Sequence, residues 1–336
     1  MGGKLRSTAK KAAEHCGSGP PTQSTDSTDS TSVGQQMRDL AMRTGTKVRF
    51  RVFSWKFRPF GAGVGTIKFW SMKAIEHQGR RVAYELEGRG SVVVLLHGFC
   101  EDHRVWEGLL PYLEGFRVLR IDLPGFGDSD PPAQPTLEAL ADSVRAVLQS
   151  EGIARYALVG HSMGGYVSLA LAEKHPDELK GLCLFHSHPF ADSEEKKAAR
   201  DKGIAFVREN GVAPYVQGLI PQLFAHDREK GYPEAVNRLI QQASAFPPEG
   251  VIAALAAMRD RPDRAPVLQG LPCPVLFIIG KEDAAVPLEQ SLAMTPLPEE
   301  AEILLLEGVG HMGMFEAPEE TGTALRRFLL KLDHEN

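Results

Sequence analysis

The chain has 336 residues, 43% of them hydrophobic, and a formal net charge of −5 at pH 7. That is ample material for a large core and excludes a disordered or fibrous protein. No run of 18 apolar residues offers a membrane span, and Cys16, Cys100, Cys183 and Cys273 show neither zinc nor disulfide-framework spacing.

The net charge hides a boundary. Residues 1–73 carry 13 Lys/Arg against 4 Asp/Glu, whereas the remainder carries 25 against 39, so the sign switches near residue 73. Residues 17–35 are rich in Ser, Thr, Gly and Asp, with Val33 as their single aliphatic residue. Such a stretch cannot bury enough surface to offset its ordering entropy. Residues 1–46 therefore read as a disordered basic and polar tail, and the first 30 lack the apolar core of a secretory signal. A cytoplasmic location is expected.

Residues 47–73 hold seven cations, no acid and seven aromatics: Phe50, Phe53, Trp55, Phe57, Phe60, Phe69 and Trp70. Interleaved cations and aromatics suit nucleic acid or an anionic membrane surface. Competing readings are a strand hairpin on a sheet edge, a tail docked on the acidic body, or a leader ahead of Met72. The competing set is preferred, no nucleic-acid partner is expected, and a chain starting at Met72 is expected to fold and to be fully active.

From residue 73 strands and helices alternate. Strands are expected near 74–78, 81–86, 91–97, 117–122, 156–161, 180–186, 274–279 and 301–306. Helices are expected near 104–113, 136–151, 163–175, 288–294 and 316–332. In the second, Leu137, Leu140, Val144, Val147 and Leu148 keep helical spacing behind the capping residue Thr136. The alternation implies an α/β fold, a mainly parallel central sheet with helices on both faces. Residues 189–265 break it with four amphipathic helices: Glu194–Asn210, Val212–Phe224, Pro233–Phe246 and Pro248–Arg259. The core thus reads as 73–188 plus 266–336, with 189–265 inserted between.

The chemistry concentrates at strand ends. Gly160-His-Ser-Met-Gly164 follows the apolar run Tyr156–Val159 and precedes a helix-like stretch, the setting of a nucleophile elbow. Gly160 and Gly164 supply the room that a strained serine turn needs, which makes Ser162 the candidate nucleophile. Val92–Leu96 runs into His97-Gly-Phe-Cys100. There the N–H groups of Phe99 and of Met163 are candidate donors to an oxyanion. Pro274–Ile279 leads to Asp283, and Ile303–Leu306 leads to His311. Each lies past the carboxyl end of a strand, where an open parallel sheet binds its ligands.

The order Ser162, Asp283, His311 resembles that of the α/β-hydrolases, and the resemblance covers roughly residues 73–331. It extends to the loop Asp122-Leu-Pro-Gly-Phe-Gly-Asp-Ser129, to Gly280, Asp283, Val286 and Pro287, and to Gly310-His311 with Glu316-Ala-Pro318. It implies that 189–265 is a helical cap over the site, that Ser162, Asp283 and His311 are catalytic, and that Phe99 and Met163 form the oxyanion hole. The region before Cys273 resembles capped carboxylesterases and enol-lactone hydrolases.

Other readings compete residue by residue. Glu282 rivals Asp283 as the acid. His161 lies inside the elbow but is expected to pack beneath it. His186 and His188 would share one face of an extended chain, yet no third metal ligand is apparent, so neither metal nor cofactor is expected. Cys100, His188, Phe190, Tyr215 and Met258 are candidate pocket residues. The expected activity is hydrolysis of a small carboxylic ester or lactone through an acyl-enzyme. C–C bond hydrolysis, thioester hydrolysis and cofactor-free haloperoxidation use the same triad. Outside catalysis, a ligand-binding member and a tail-driven membrane or nucleic-acid binder are the alternatives.

Overall fold

The computed structural model describes residues 47–53 (backbone only), 71–225 and 231–334. The tail reading for 1–46 and most of the basic aromatic segment lie outside these residues. Nine strands form one sheet: β1 Lys47–Phe53, β2 Lys73–His77, β3 Arg80–Gly88, β4 Val92–Leu96, β5 Arg117–Ile121, β6 Tyr156–His161, β7 Leu179–Phe185, β8 Val275–Gly280 and β9 Glu300–Leu306. Their order is β1-β9-β8-β7-β6-β4-β5-β3-β2. All pairings are parallel except β2 with β3 and β3 with β5. The near-unbroken apolar runs of β4, β6, β7 and β8 follow from this, because a parallel strand covered on both faces has no solvent side. The β2–β3 hairpin turns on Gln78 and Gly79 at φ 53° and 71°, the two positive values a tight twisted hairpin needs.

The helices are α1 Leu137–Ser150, α2 Met163–Lys174, α3 Glu194–Asn210, α4 Val212–Leu219, α5 Pro233–Ala243, α6 Pro248–Arg259, α7 Ala265–Gln269, α8 Leu288–Met294, α9 Gly313–Glu316 and α10 Pro318–His334. Thr136 caps α1 by accepting from the Ala139 N–H at 3.1 Å. Three expectations shift, each at a proline. Residues 103–113 wind as a 3₁₀ helix with Pro111 inside rather than as an α-helix. The cap helix expected to reach Phe224 stops at Leu219 and tightens into a 3₁₀ turn through Pro221. The last helix breaks at Ala317, held at φ −146° and ψ 59° ahead of Pro318. In the inserted region, α3 lies along α6. A Cβ at Gly203 would press on the Tyr215 hydroxyl of α4 at 3.1 Å. Among the described residues no helix is long and apolar enough to cross a membrane.

The boundary read at residue 73 does not bound the sheet. β1 pairs in parallel with β9 from Lys47 beside Glu300 to Phe53 beside Leu306. It covers an edge whose residues Ala301–Leu306 are all buried. Charge composition could not reveal this, because the partner strand lies about 250 residues downstream. The expectation of a dispensable leader is therefore revised. Deleting residues 1–72 should uncover β9, lower Tm by several degrees and promote association at the bare edge. Melting curves and light scattering of both forms test this. Identical melts and a monodisperse truncated protein would refute it.

Candidate active site

Ser162 sits between β6 and α2 at φ 50° and ψ −114°, a left-handed conformation that costs a non-glycine residue on the order of 1–3 kcal/mol. The surrounding packing enforces it. A Cβ at Gly160 would overlap the Gly164 carbonyl, and one at Gly164 would overlap the Leu96 carbonyl. The turn is tied down by Ser162 N–H to the Phe185 carbonyl at 3.0 Å and by Ser187 Oγ to the Ser162 carbonyl at 2.7 Å. The seryl side chain is thereby presented to a cavity at the start of α2.

Asp283 follows β8 and is 6% exposed, whereas its neighbour Glu282 lies in solvent. Its Oδ1 accepts the N–H groups of Ala285 and Val286 at 2.9 and 2.8 Å. Its Oδ2 lies 2.7 Å from His311 Nδ1. Burial opposes the charge on Asp283, but the adjacent His311 ring and its hydrogen bond outweigh it, holding the carboxyl well below its usual range. Burial likewise lowers the His311 pKa, and the adjacent Asp283 carboxylate more than reverses this, leaving it raised. The His311 loop is anchored by buried Glu316, which accepts from the N–H groups of Gly310, Met312 and Ala225. The His311 N–H in turn binds the Leu223 carbonyl of the inserted region at 2.7 Å.

Ser162 and His311 line one cavity together with Phe99, Glu101, Tyr166, Arg200, Leu219, Leu223, Met258, Ala285 and Val286. Its volume of about 80 Å³ holds several water-sized groups. The Phe99 and Met163 amides have no acceptor among the described residues; Met163 is the first residue of α2, whose N–H has no partner inside the helix. A hydroxyl and an oriented imidazole in one cavity with Phe99, and an unspent N–H on Met163 next to that hydroxyl in the chain, are parts that acyl transfer uses.

Of the five pocket candidates, only Met258 lines this cavity. Cys100 turns into the core at φ 59° and is 2% exposed. His188 is fully buried behind Tyr166, with Phe190 stacked on it at 5.8 Å. Tyr215 packs edge-on to Phe99 at 6.3 Å, outside the cavity wall. His186 and His188 do not share a face, because His186 adopts φ 48° and its ring turns toward His311 at 5.8 Å. His186 Nδ1 accepts the Gly280 N–H at 3.3 Å and lies 3.5 Å from Asp283 Oδ2. Burial, only partly offset by Asp283, lowers its pKa to about 4, so the ring is neutral.

Two features had no signature in the sequence. His161 Nε2 faces the His311 carbonyl at 3.0 Å and Nδ1 faces Glu101 Oε2 at 2.9 Å. A carbonyl only accepts, so Nε2 carries a proton and a further proton lies between Nδ1 and Glu101. Glu101 also takes the Gly98 N–H at 2.7 Å, so one buried, net-neutral pair braces both the Gly98 turn and the His311 backbone. The second feature is the cationic side of the cavity that includes Arg200. Asp102, His103 and Asp122 are the one group among the described residues with metal-ligand geometry. Arg104 occupies Asp102, and Asp122 accepts from His103 and the Asp128 N–H, so Asp102 is spent on the 3₁₀ helix that it caps and Asp122 on the loop that follows β5.

Residues 91–318 match the family described as alpha/beta hydrolase fold. Over 248 residues the chain is 31% identical to a pimeloyl-[acyl-carrier protein] methyl ester esterase of Aromatoleum aromaticum, covering 68% of this chain and 94% of that protein. The structure of a thermophilic esterase from Thermogutta terrifontis aligns with a TM-score of 0.74 and 34% identity, over 78% of this chain and 99% of that one. The enol-lactonase from Burkholderia xenovorans aligns with a TM-score of 0.72 and 25% identity, over 77% and 100%. The chain spans 44% of a longer relative, the biotin biosynthesis bifunctional protein of Teredinibacter turnerae, at 26% identity.

Proposed function

We propose, from the premise that the chain belongs to the α/β-hydrolase family, that it cleaves a small carboxylic ester or lactone through an acyl-enzyme on Ser162. The observation that carries this is the strained Ser162 in one cavity with a His311 whose Nδ1 is held by Asp283 at 2.7 Å. In this reading the Nδ1 proton is committed to Asp283, so neutral His311 presents Nε2 as the base that takes the Ser162 proton. Ser162 Oγ attacks the ester carbonyl, and the N–H groups of Phe99 and Met163 receive the developing oxyanion. One such donor contributes about 3 kcal/mol to the transition state. His311 then protonates the leaving alcohol and activates water to release the acid.

The ester and lactone classes are favoured by the esterase and enol-lactonase relatives. The region 189–265 acts as the cap, since Arg200, Leu219, Leu223 and Met258 close the cavity from that side. The test is turnover of short-chain esters and lactones by the purified protein. Absence of hydrolysis across both classes would overturn the reading.

A pH dependence follows. His311 must be neutral to act as base, and Asp283 raises its pKa above the ordinary 6.5. Activity is therefore complete above that raised value and lost as pH falls through it, so the acid limb of kcat/KM should have its midpoint above 6.5. Removing the Asp283 charge should move any residual limb to lower pH. A wild-type midpoint below the ordinary histidine value would contradict the assignment.

A further inference from the structure

The wall of the cavity contributed by the cap carries more positive charge than its own ion pairs consume. Lys196 and Arg200 stand one turn apart on α3, and Arg261 follows α6. The carboxylate these three cations share is that of Asp192, which is buried. Arg261 Nη1 lies 2.8 Å from Asp192 Oδ1, and Arg200 Nε binds Asp192 Oδ2 at 3.1 Å. Arg261 donates through Nε to the Phe190 carbonyl and through Nη1 to the Met258 carbonyl, its buried Nη2 has no hydrogen-bond partner among the described residues, and its guanidinium lies 4.0 Å over the Tyr166 ring. Lys196 reaches the Ala285 carbonyl at 3.3 Å. The two terminal nitrogens of Arg200 make no hydrogen bond among the described residues, and Arg200 lines the cavity that holds Ser162.

Tyr166 adds a second unspent donor. The Phe190 N–H points at His188 Nδ1 at 3.2 Å, so that nitrogen is an acceptor and the ring proton sits on Nε2. Burial, reinforced by Arg261, Lys196 and Arg200, lowers the His188 pKa well below its usual value and keeps the ring neutral. Nε2–H therefore donates to Tyr166 Oη at 3.1 Å, and the tyrosyl proton has no acceptor among the described residues. The acids nearby offset this field only in part. Glu101 shares a proton with His161, and Asp283 stays ionised, so Lys196, Arg200 and Arg261 stand against two carboxylates, Asp192 and Asp283.

We infer that the cavity is built for a carboxylate-bearing ester or lactone, with the Arg200 guanidinium as the group that pairs with that carboxylate while Ser162 attacks the ester carbonyl. A planar fork with two free N–H groups matches a carboxylate in a bidentate pair. The Asp192 bond through Nε holds the fork in place beforehand, so little side-chain freedom is lost on binding. The inference rests on the ester-hydrolase reading and narrows its substrate to short half-esters of dicarboxylic acids or their lactone equivalents.

The test compares monomethyl glutarate with methyl pentanoate, which has a methyl in place of the carboxylate, by proton release. Carboxymethyl butanoate, with its carboxylate on the alcohol side, reports which half of the ester faces Arg200. The wild type should favour a carboxylate-bearing ester in kcat/KM. Arg200→Met should reduce that preference about 10- to 100-fold, and Arg200→Lys should restore part of it. Isothermal titration of glutarate into the wild type and Arg200→Met reads the same contact without turnover, so failure of the hydrolase reading and failure of this one are distinguishable. Equal use of charged and neutral esters by the wild type, a preference that survives in Arg200→Met, or equal glutarate binding by both proteins would overturn it.

Discussion

Ser162→Ala is expected to leave a folded protein whose ester hydrolysis falls by about 10⁴- to 10⁶-fold, since the members of a serine triad act as a unit and loss of the nucleophile removes nearly all of its effect. Ser162 carries the one aliphatic hydroxyl in the cavity lining, and no cysteine lines it. Tyr166, the other hydroxyl there, already accepts from His188. No side-chain hydrogen bond of Ser162 holds the fold, because its N–H and carbonyl make the turn's contacts. Alanine has the same Cβ and meets the same strain at φ 50°, so Tm should move by no more than a few degrees. Steady-state rates on a short ester, beside a melt of each protein, decide the point. Retention of activity within tenfold of wild type would remove Ser162 from the mechanism.

Asp283→Asn should cost about 10⁴-fold in kcat, and the hydrogen bonds around Asp283 say why. Its Oδ1 accepts from the Ala285 and Val286 amides, so the carbonyl oxygen of an asparagine would stay there and its NH₂ would face His311. An NH₂ can only donate. His311 Nδ1 would then have to accept, and the ring proton would move to Nε2, the nitrogen needed as base. Glu282→Gln is the control. Glu282 is exposed, its side chain has no partner among the described residues, and the change should alter turnover by no more than about twofold. Comparable losses in the two variants, or a larger one at Glu282, would reassign the acid.

Features that are local and repeated were legible in the order of residues alone. Short apolar runs bounded by turn residues suit doubly covered strands, so β4, β6, β7 and β8 were legible, and their parallel order followed from the helices between them. The steric demand of one strained residue wrote Gly160 and Gly164 around Ser162. Strand ends then marked Asp283 and His311, four and five residues past the readable runs that end at Ile279 and Leu306. Prolines were visible but their effect was not. Whether Pro111, Pro221 or Pro318 bends, tightens or ends a helix depends on what packs against it.

Which distant groups meet depends on how the whole chain packs. Glu101 and His161 are 60 residues apart and share a proton because β4 and β6 are neighbours in the sheet. Arg200, Asp192 and Arg261 converge because α3 lies along α6. Cys100 and His188 read as pocket residues, yet the backbone turns one inward and Tyr166 screens the other. β1 finds its partner about 250 residues away. Periodicity records which face of an element is buried. Register, helix crossing and side-chain direction come from packing the whole chain at once, and they placed the cation that the substrate is expected to meet.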